Sequence, residues 1–331
     1  MTKPQQDIPI NFVYCNNLDN RLFTIDDVDK HPDKFISGRD VWLLQTYFLL
    51  KKYYSNITLD VEPKKDCINI IHGGSLRRAT SIAGYYFVNA RADYSPAHWC
   101  NFEIVQNKLQ EKAKAKYITH WPQPGLIKRD KTREKIENVA FLGAVEQNIL
   151  TEYPVAGDMA SMGLNYISRD RERWNDFSNI DILLGIRQFG TKHIYPNKPP
   201  SKLINAWWAE VPLISGTDSA YEEIATPGQD YLYVHSYEEL LDTLNHFKNN
   251  PGFYSMIVNN GIKKRERYSR VNIINDWIYL FTHEILPDFL QWKESQGIRK
   301  FIDTMKRQSL RKYQMVLYKS RYEVRKFKNN F

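Results

Sequence analysis

Lys198 and Lys202 bracket Pro199, Pro200 and Ser201. A proline pair followed by serine reads as a helix start, with Ser201 as the capping residue. Such an end offers free backbone N–H groups and a partial positive charge. Two ammonium groups beside it complete a receptor for a diphosphate. Leu203, Ile204, Ala206, Trp207 and Ala209 recur at helical spacing and form the face that packs this helix on a sheet. Asn205, within the same helix, adds a hydrogen-bonding amide. Residues 211–214 follow as a short strand entered through Pro212.

Further candidates lie at the ends of strand-like runs. Arg187 follows the apolar run 180–186, where its guanidinium can take a phosphate in bidentate fashion or pair with a surface carboxylate. Lys192 stands in the loop beyond it. Glu222 opens the next helical piece, either as acceptor for ribose hydroxyls or as an ordinary acidic first turn. Gly143 ends the run 138–142 as a glycine allowing close backbone approach. In the first half, His72 precedes Gly73 and Gly74. It is a candidate to take a proton from an acceptor hydroxyl or to touch the leaving phosphate, while the glycine pair alone would simply be a turn. Asp93, after the run 85–89, is the best carboxylate for base work, or else a cap before Pro96. Trp99 and Trp121 suit either sugar stacking or a core. Asp27 and Asp29 form an Asp-x-Asp pair of metal-binding appearance. Their acidic, proline-flanked surroundings favour helix capping, and no metal is expected.

The elements that must position these groups alternate along the chain. Residues 10–15, 57–61, 67–71, 85–89, 102–106 and 116–119 read as strands, with a strongly apolar helix over 39–54. His120 to Gly125 holds two prolines and a glycine and marks a boundary. Beyond it, strands at 138–142, 164–167, 180–186, 211–214 and 231–234 alternate with helices at 151–162, 169–177, 201–209, 219–225 and 237–247. Short connections of this kind imply a parallel, doubly wound sheet that binds ligands beyond its strand C-termini. From Pro251 onward the chain reads as helical, with a break at 285–287.

The stretch from Lys198 to Gly216 resembles the donor half of GT-B glycosyltransferases, in which a strand, loop and helix hold a sugar nucleotide. In the retaining members two glutamates spaced Glu-x7-Glu occupy this region, and their positions fall here on Asn197 and Asn205. The resemblance implies an α/β protein of two Rossmann-like domains facing a central cleft, with a C-terminal helical extension. It assigns residues 1–125 to an acceptor domain, 126–270 to a nucleotide-sugar donor domain and 271–331 to a crossover helix and basic tail. The implied activity transfers a sugar from a nucleotide-diphosphate-sugar, the donor substrate, to a polysaccharide, lipopolysaccharide or capsule glycan, with no separate cofactor. A sugar-nucleotide epimerase and a non-catalytic adapter are the alternatives. The glycine fingerprint expected of the epimerase is lacking.

Composition bounds these readings. The chain has 331 residues, 42% of them hydrophobic, enough for two ordinary cores. Residues 1–10 hold no apolar segment and no uncharged apolar run approaches membrane-spanning length, so neither signal peptide nor spanning helix is expected. Cys15, Cys67 and Cys100 are odd in number and widely spaced, which suggests thiols in a reducing, cytoplasmic compartment. The net charge of +8 is concentrated at one end. Residues 291–331 carry 12 Lys and Arg against 3 Asp and Glu, or +9, leaving −1 for the rest. Ile298, Phe301, Ile302 and Met305, then Tyr313, Val316 and Leu317, recur among these cations. The pattern describes a basic amphipathic helix suited to an anionic membrane surface, and no specific nucleic-acid partner is expected.

Overall fold

The computed structural model describes residues 9–15, 18, 27–79, 81–144, 148–169, 171–190, 194–295 and 297–328, with side chains to Tyr318. Two parallel sheets organise it. The first holds β1 (Ile10–Val13), β2 (Ile57–Asp60), β3 (Ile68–His72), β4 (Tyr86–Ala90), β5 (Phe102–Val105) and β6 (Ala115–Tyr117), in the order β2-β1-β3-β4-β5-β6. The second holds β7 (Asn138–Phe141), β8 (Asn165–Ser168), β9 (Ile182–Leu184), β10 (Leu213–Ser215) and β11 (Leu232–Tyr233), in the order β11-β10-β9-β7-β8. Every residue of β3 and β4 is buried, as strands covered on both faces must be. In both sheets the chain steps from its first strand to one side and then back to the other. The switch points fall between β1 and β3 and between β7 and β9, where crevices open beyond the strand C-termini.

Helices cover the sheets. They are α1 (Gln45–Leu50), entered through a wide helical turn at Asp40–Leu44, then α2 (Val155–Ser161), α3 (Ser201–Ala209), α4 (Ser219–Glu222), α5 (Tyr237–Asn249) and α6 (Pro251–Arg265). Next, α7 (Arg270–Leu280) and α8 (Leu286–Glu294) return to the first lobe, where Ile273, Trp277, Phe281 and Phe289 enter the core with Phe12, Trp42 and Tyr86. The Trp42 and Trp277 ring centroids lie 5.5 Å apart, and Tyr86 donates to Asp288 at 2.6 Å. Finally α9 (Gly297–Lys328) runs for 32 residues. Among the described residues no helix is long and apolar enough to cross a membrane.

Three sequence expectations change. Residues 169–177 form no α-helix, only a tight turn at Arg171–Arg173. The backbone of this segment bonds sideways instead. Ile127 N donates to Asn175 O at 2.8 Å, and Phe177 N to Ile127 O at 2.9 Å. The expected break at 285–287 is absent, because Pro287 stands in the first turn of α8, where its missing N–H is not needed. Ser201 is the first residue of α3 and not its cap. Pro200 holds the capping position and no side chain closes that end.

Candidate functional site

A cleft of about 560 Å³ lies between the lobes, beyond the carboxyl ends of both sheets. His72, Asp93, Gly143, Arg187, Lys198, Ser201, Lys202 and Asn205 all line it. Lys192 falls outside the described residues. Glu222 is a correction: it is exposed at the last turn of α4 and absent from the cleft wall, because the helix turns Tyr221 inward in its place.

The second lobe supplies cations. The uncapped amino end of α3 faces the cleft through Lys198, Pro199, Ser201 and Lys202. Its first-turn N–H groups have no partners within the helix. The Lys202 ammonium donates to Leu142 O at 2.7 Å and lies 3.8 Å from the Phe141 ring centre. Burial, and then the nearby Arg187 charge, bring its pKa down to about 7. Gly143 makes room for this group, since a Cβ there would sit 2.9 Å from the Lys202 nitrogen. Arg187, at the end of β9, gives Nε to the buried Asp218 carboxylate at 3.0 Å, and Asp218 also caps α4 through Ala220 N. Asp218, like Glu222, is not among the residues that line the cleft. Asn205 accepts from Gln123 N at 3.0 Å and so ties α3 to the segment joining the lobes.

The first lobe supplies two histidines of opposite character. His72, at the end of β3, accepts from Gly74 N through Nδ1 at 3.2 Å. That bond places its proton on Nε2, making Nε2 a donor, and this buried nitrogen has no hydrogen-bond partner among the described residues. The neighbouring glycines serve internal packing, because a Cβ on Gly73 would lie 2.7 Å from Arg91 O and one on Gly74 2.7 Å from the Tyr94 ring. His120 lies 2.7 Å through Nδ1 from Trp121 O and stacks on Trp42. A carbonyl can only accept, so its proton is on Nδ1 and Nε2 is the acceptor. Burial brings both rings down to about 4, aided at His72 by Arg39 and opposed at His120 by its bond to Trp121 O and in each by Asp93. Both are neutral near pH 7.

Asp93 spans the cleft. Its carboxylate meets the Lys198 ammonium at 2.9 Å, and its carbonyl accepts from Asn197 at 2.9 Å. Asn107 adds hydrogen bonds to Lys198 O and Ser219 Oγ. Arg39 and Arg171 also line the wall, so five Arg and Lys face the single acidic residue Asp93 among the described lining residues. Sequence reading missed Arg39, His120 and Arg171. Arg39 and Arg171 had been absorbed into helices and His120 into a boundary, and no local pattern distinguishes them. Trp99 and Trp121 are core residues. Trp121 donates to Thr46 at 2.7 Å, and the aromatics on the cleft are Phe35, Tyr94, Trp174 and Phe177. Asp27 caps the turn at Val28–Lys30, and Asp29 pairs with Arg270 across the lobes.

Two facing Rossmann-like lobes with a shared crevice and a returning C-terminal helix constitute the GT-B glycosyltransferase fold, which this chain has. By sequence, no family model and no curated protein matches. By structure, the chain is similar to sucrose-phosphate synthase from Thermosynechococcus elongatus, with a TM-score of 0.52 at 9% identity, covering 85% of this chain and 100% of that one. An α1,3-fucosyltransferase solved with GDP-fucose gives a TM-score of 0.52 at 10% identity, covering 88% and 92%. TarM gives 0.46 at 12% identity over 72% of this chain, which spans 58% of the length of TarM.

Proposed function

We propose that the protein transfers a sugar from a nucleotide-diphosphate-sugar to a hydroxyl of a glycan or lipid-linked acceptor of the polysaccharide, lipopolysaccharide or capsule type. The observation that carries this reading is the uncapped amino end of α3 opening on the inter-lobe cleft beside Lys198 and Lys202. The diphosphate rests there. Helix N–H groups, Ser201 and the two ammonium groups take up charge as the nucleotide leaves, and this reading requires no metal. Arg187, held by Asp218, extends the cationic wall, and Asn205 offers its amide to a hydroxyl. His72, neutral on the cleft wall, contacts the sugar or the leaving phosphate. Asp93 takes the acceptor proton once the diphosphate draws Lys198 away, with His120 Nε2 as the neutral acceptor on the same wall. Closure of the two lobes over the donor would exclude water and limit its hydrolysis.

Thermal unfolding with UDP, GDP, TDP and CMP tests the site. At least one nucleotide raises the unfolding temperature on this reading, and silence toward all four leaves the adapter. Incubation of the matching sugar nucleotide then separates transfer from epimerisation. Nucleotide release that depends on added acceptor supports transfer, and a rearranged sugar still bound to nucleotide overturns it.

A further inference from the structure

Helix α9 docks on the first lobe by its polar side. Arg307 is buried, donating Nε to Trp99 O at 2.8 Å and Nη2 to Tyr85 O at 3.3 Å. Arg311 donates to Ala79 O, and Gln314 to Pro96 O at 2.7 Å. These residues are spaced four and three apart and share one face. At about 100° per residue, Ile298 and Val316 fall on the opposite face, with Ile302 and Met305 beside them. Ile298, Phe301, Ile302, Met305, Tyr313 and Val316 are between 48% and 77% exposed. The usual arrangement of an amphipathic helix is therefore inverted, and two apolar patches, 298–305 and 313–317, separated by Gln308, Ser309 and Lys312, are held toward solvent. Arg299, Lys306 and Lys312 stand exposed beside them.

Charge selects the occupant. The segment 291–331 has 12 basic and 3 acidic residues, a net +9. A second copy seated on this face would set +9 against +9, whereas an acidic lipid surface complements it. We propose that α9 lays its exposed patches into the interface of an anionic bilayer. The docking points Pro96 and Trp99 follow closely on the cleft-lining Ala92–Tyr94, so the acceptor lobe is the one held at the membrane. The further consequence, that the acceptor is lipid-linked, rests on the transferase reading, while the lipid contact does not.

The test is co-sedimentation of the full chain with vesicles of phosphatidylcholine alone or mixed with phosphatidylglycerol. Binding to the mixed vesicles that exceeds binding to neutral ones and weakens with salt is expected. F301S/I302S and K306E/K312E should each lower partitioning about tenfold or more, with unchanged unfolding temperature, since all four side chains are exposed. Equal binding by wild type and variants, or no binding to mixed vesicles, overturns the proposal. So does a concentration-dependent dimer in sedimentation equilibrium that F301S/I302S abolishes, which would make these patches a self-association surface. Nucleotide binding in the same samples reads the transferase proposal separately, and either result can fail while the other stands.

Discussion

The two ends of the second sheet treat charge in opposite ways. At the amino end of β9, Asp181 is fully buried and fully answered. It accepts from Arg129 at 2.8 Å, from Arg133 at 3.0 and 2.8 Å, and from the amides of Glu137 and Asn138 at 2.8 Å each. At the carboxyl end, Lys202 meets a carbonyl and a ring, and no carboxylate pairs with it among the described residues. The same strands thus close their charges on the side away from the cleft and leave positive charge over on the cleft side. A buried charge with a complete set of partners holds the fold. One whose counter-ion is missing is a place for a ligand to supply it.

The sharpest way to break this contrast is Asp181→Asn. The substitution leaves two arginines facing a neutral amide, and the expected loss is about 3–5 kcal/mol in chemical denaturation. Acid gives a second reading. Burial alone would raise the Asp181 carboxyl, but the Arg133, Glu137, Asn138 and Arg129 bonds outweigh it and hold it below the usual range. Its contribution is therefore complete above an ordinary carboxylate value of about 3.9 and is lost as pH falls through the lower folded value. The Asn variant should lack that part of the acid limb. A change under about 1 kcal/mol would show that the network is not structural.

Lys202→Met should act in the reverse sense. It removes a group whose charged form burial disfavours, so stability of the free protein stays level or rises. Nucleotide diphosphate affinity should fall by about 1.5–3 kcal/mol, the usual worth of a hydrogen bond to a charged group. The pKa of about 7 in the free protein adds a pH signature. A bound diphosphate favours the protonated amine, so binding above about pH 7 takes up a proton and weakens toward about pH 9. The nucleotide's own last ionisation, at about 6, is complete over that range. Isothermal calorimetry in buffers of different ionisation heat reads the uptake directly, and Lys202→Met should abolish it. Affinity and uptake unchanged in the variant would remove Lys202 from the diphosphate site.

These contrasts also mark what the sequence could reveal. The strand–helix alternation was legible because β-branched runs and short connections are local patterns, and nearly every strand lies within two residues of its expected place. The start of α3 was legible for the same reason: Lys-Pro-Pro-Ser-Lys is a contiguous signal, and the helix begins at Ser201. The fate of each side chain was not. Whether Arg187 faces a ligand or Asp218, and whether Gly143 clears space for a substrate or for Lys202, depends on partners dozens of residues away. The tautomers of His72 and His120 are set by single backbone groups that appear only after folding. Helix 169–177 failed because Ile127, some fifty residues earlier in the chain, competes for its backbone.

The smallest expected effect belongs to the pair that crosses the cleft. Asp93 and Lys198 meet at 2.9 Å, close to the Asp181 distances, but the Asp93 side chain is 45% exposed where that of Asp181 is 0%. Water already solvates the carboxylate, so Asp93→Asn should change stability by less than about 1 kcal/mol, and added salt should shrink even that. Nucleotide affinity should hold or rise slightly, because Lys198 no longer has a protein carboxylate competing for it. Denaturant titration at two ionic strengths, with nucleotide binding alongside, checks both statements. A loss near that of Asp181→Asn would make the pair a lock between the lobes, and Asp93 would then be too committed to Lys198 to take a proton from an acceptor.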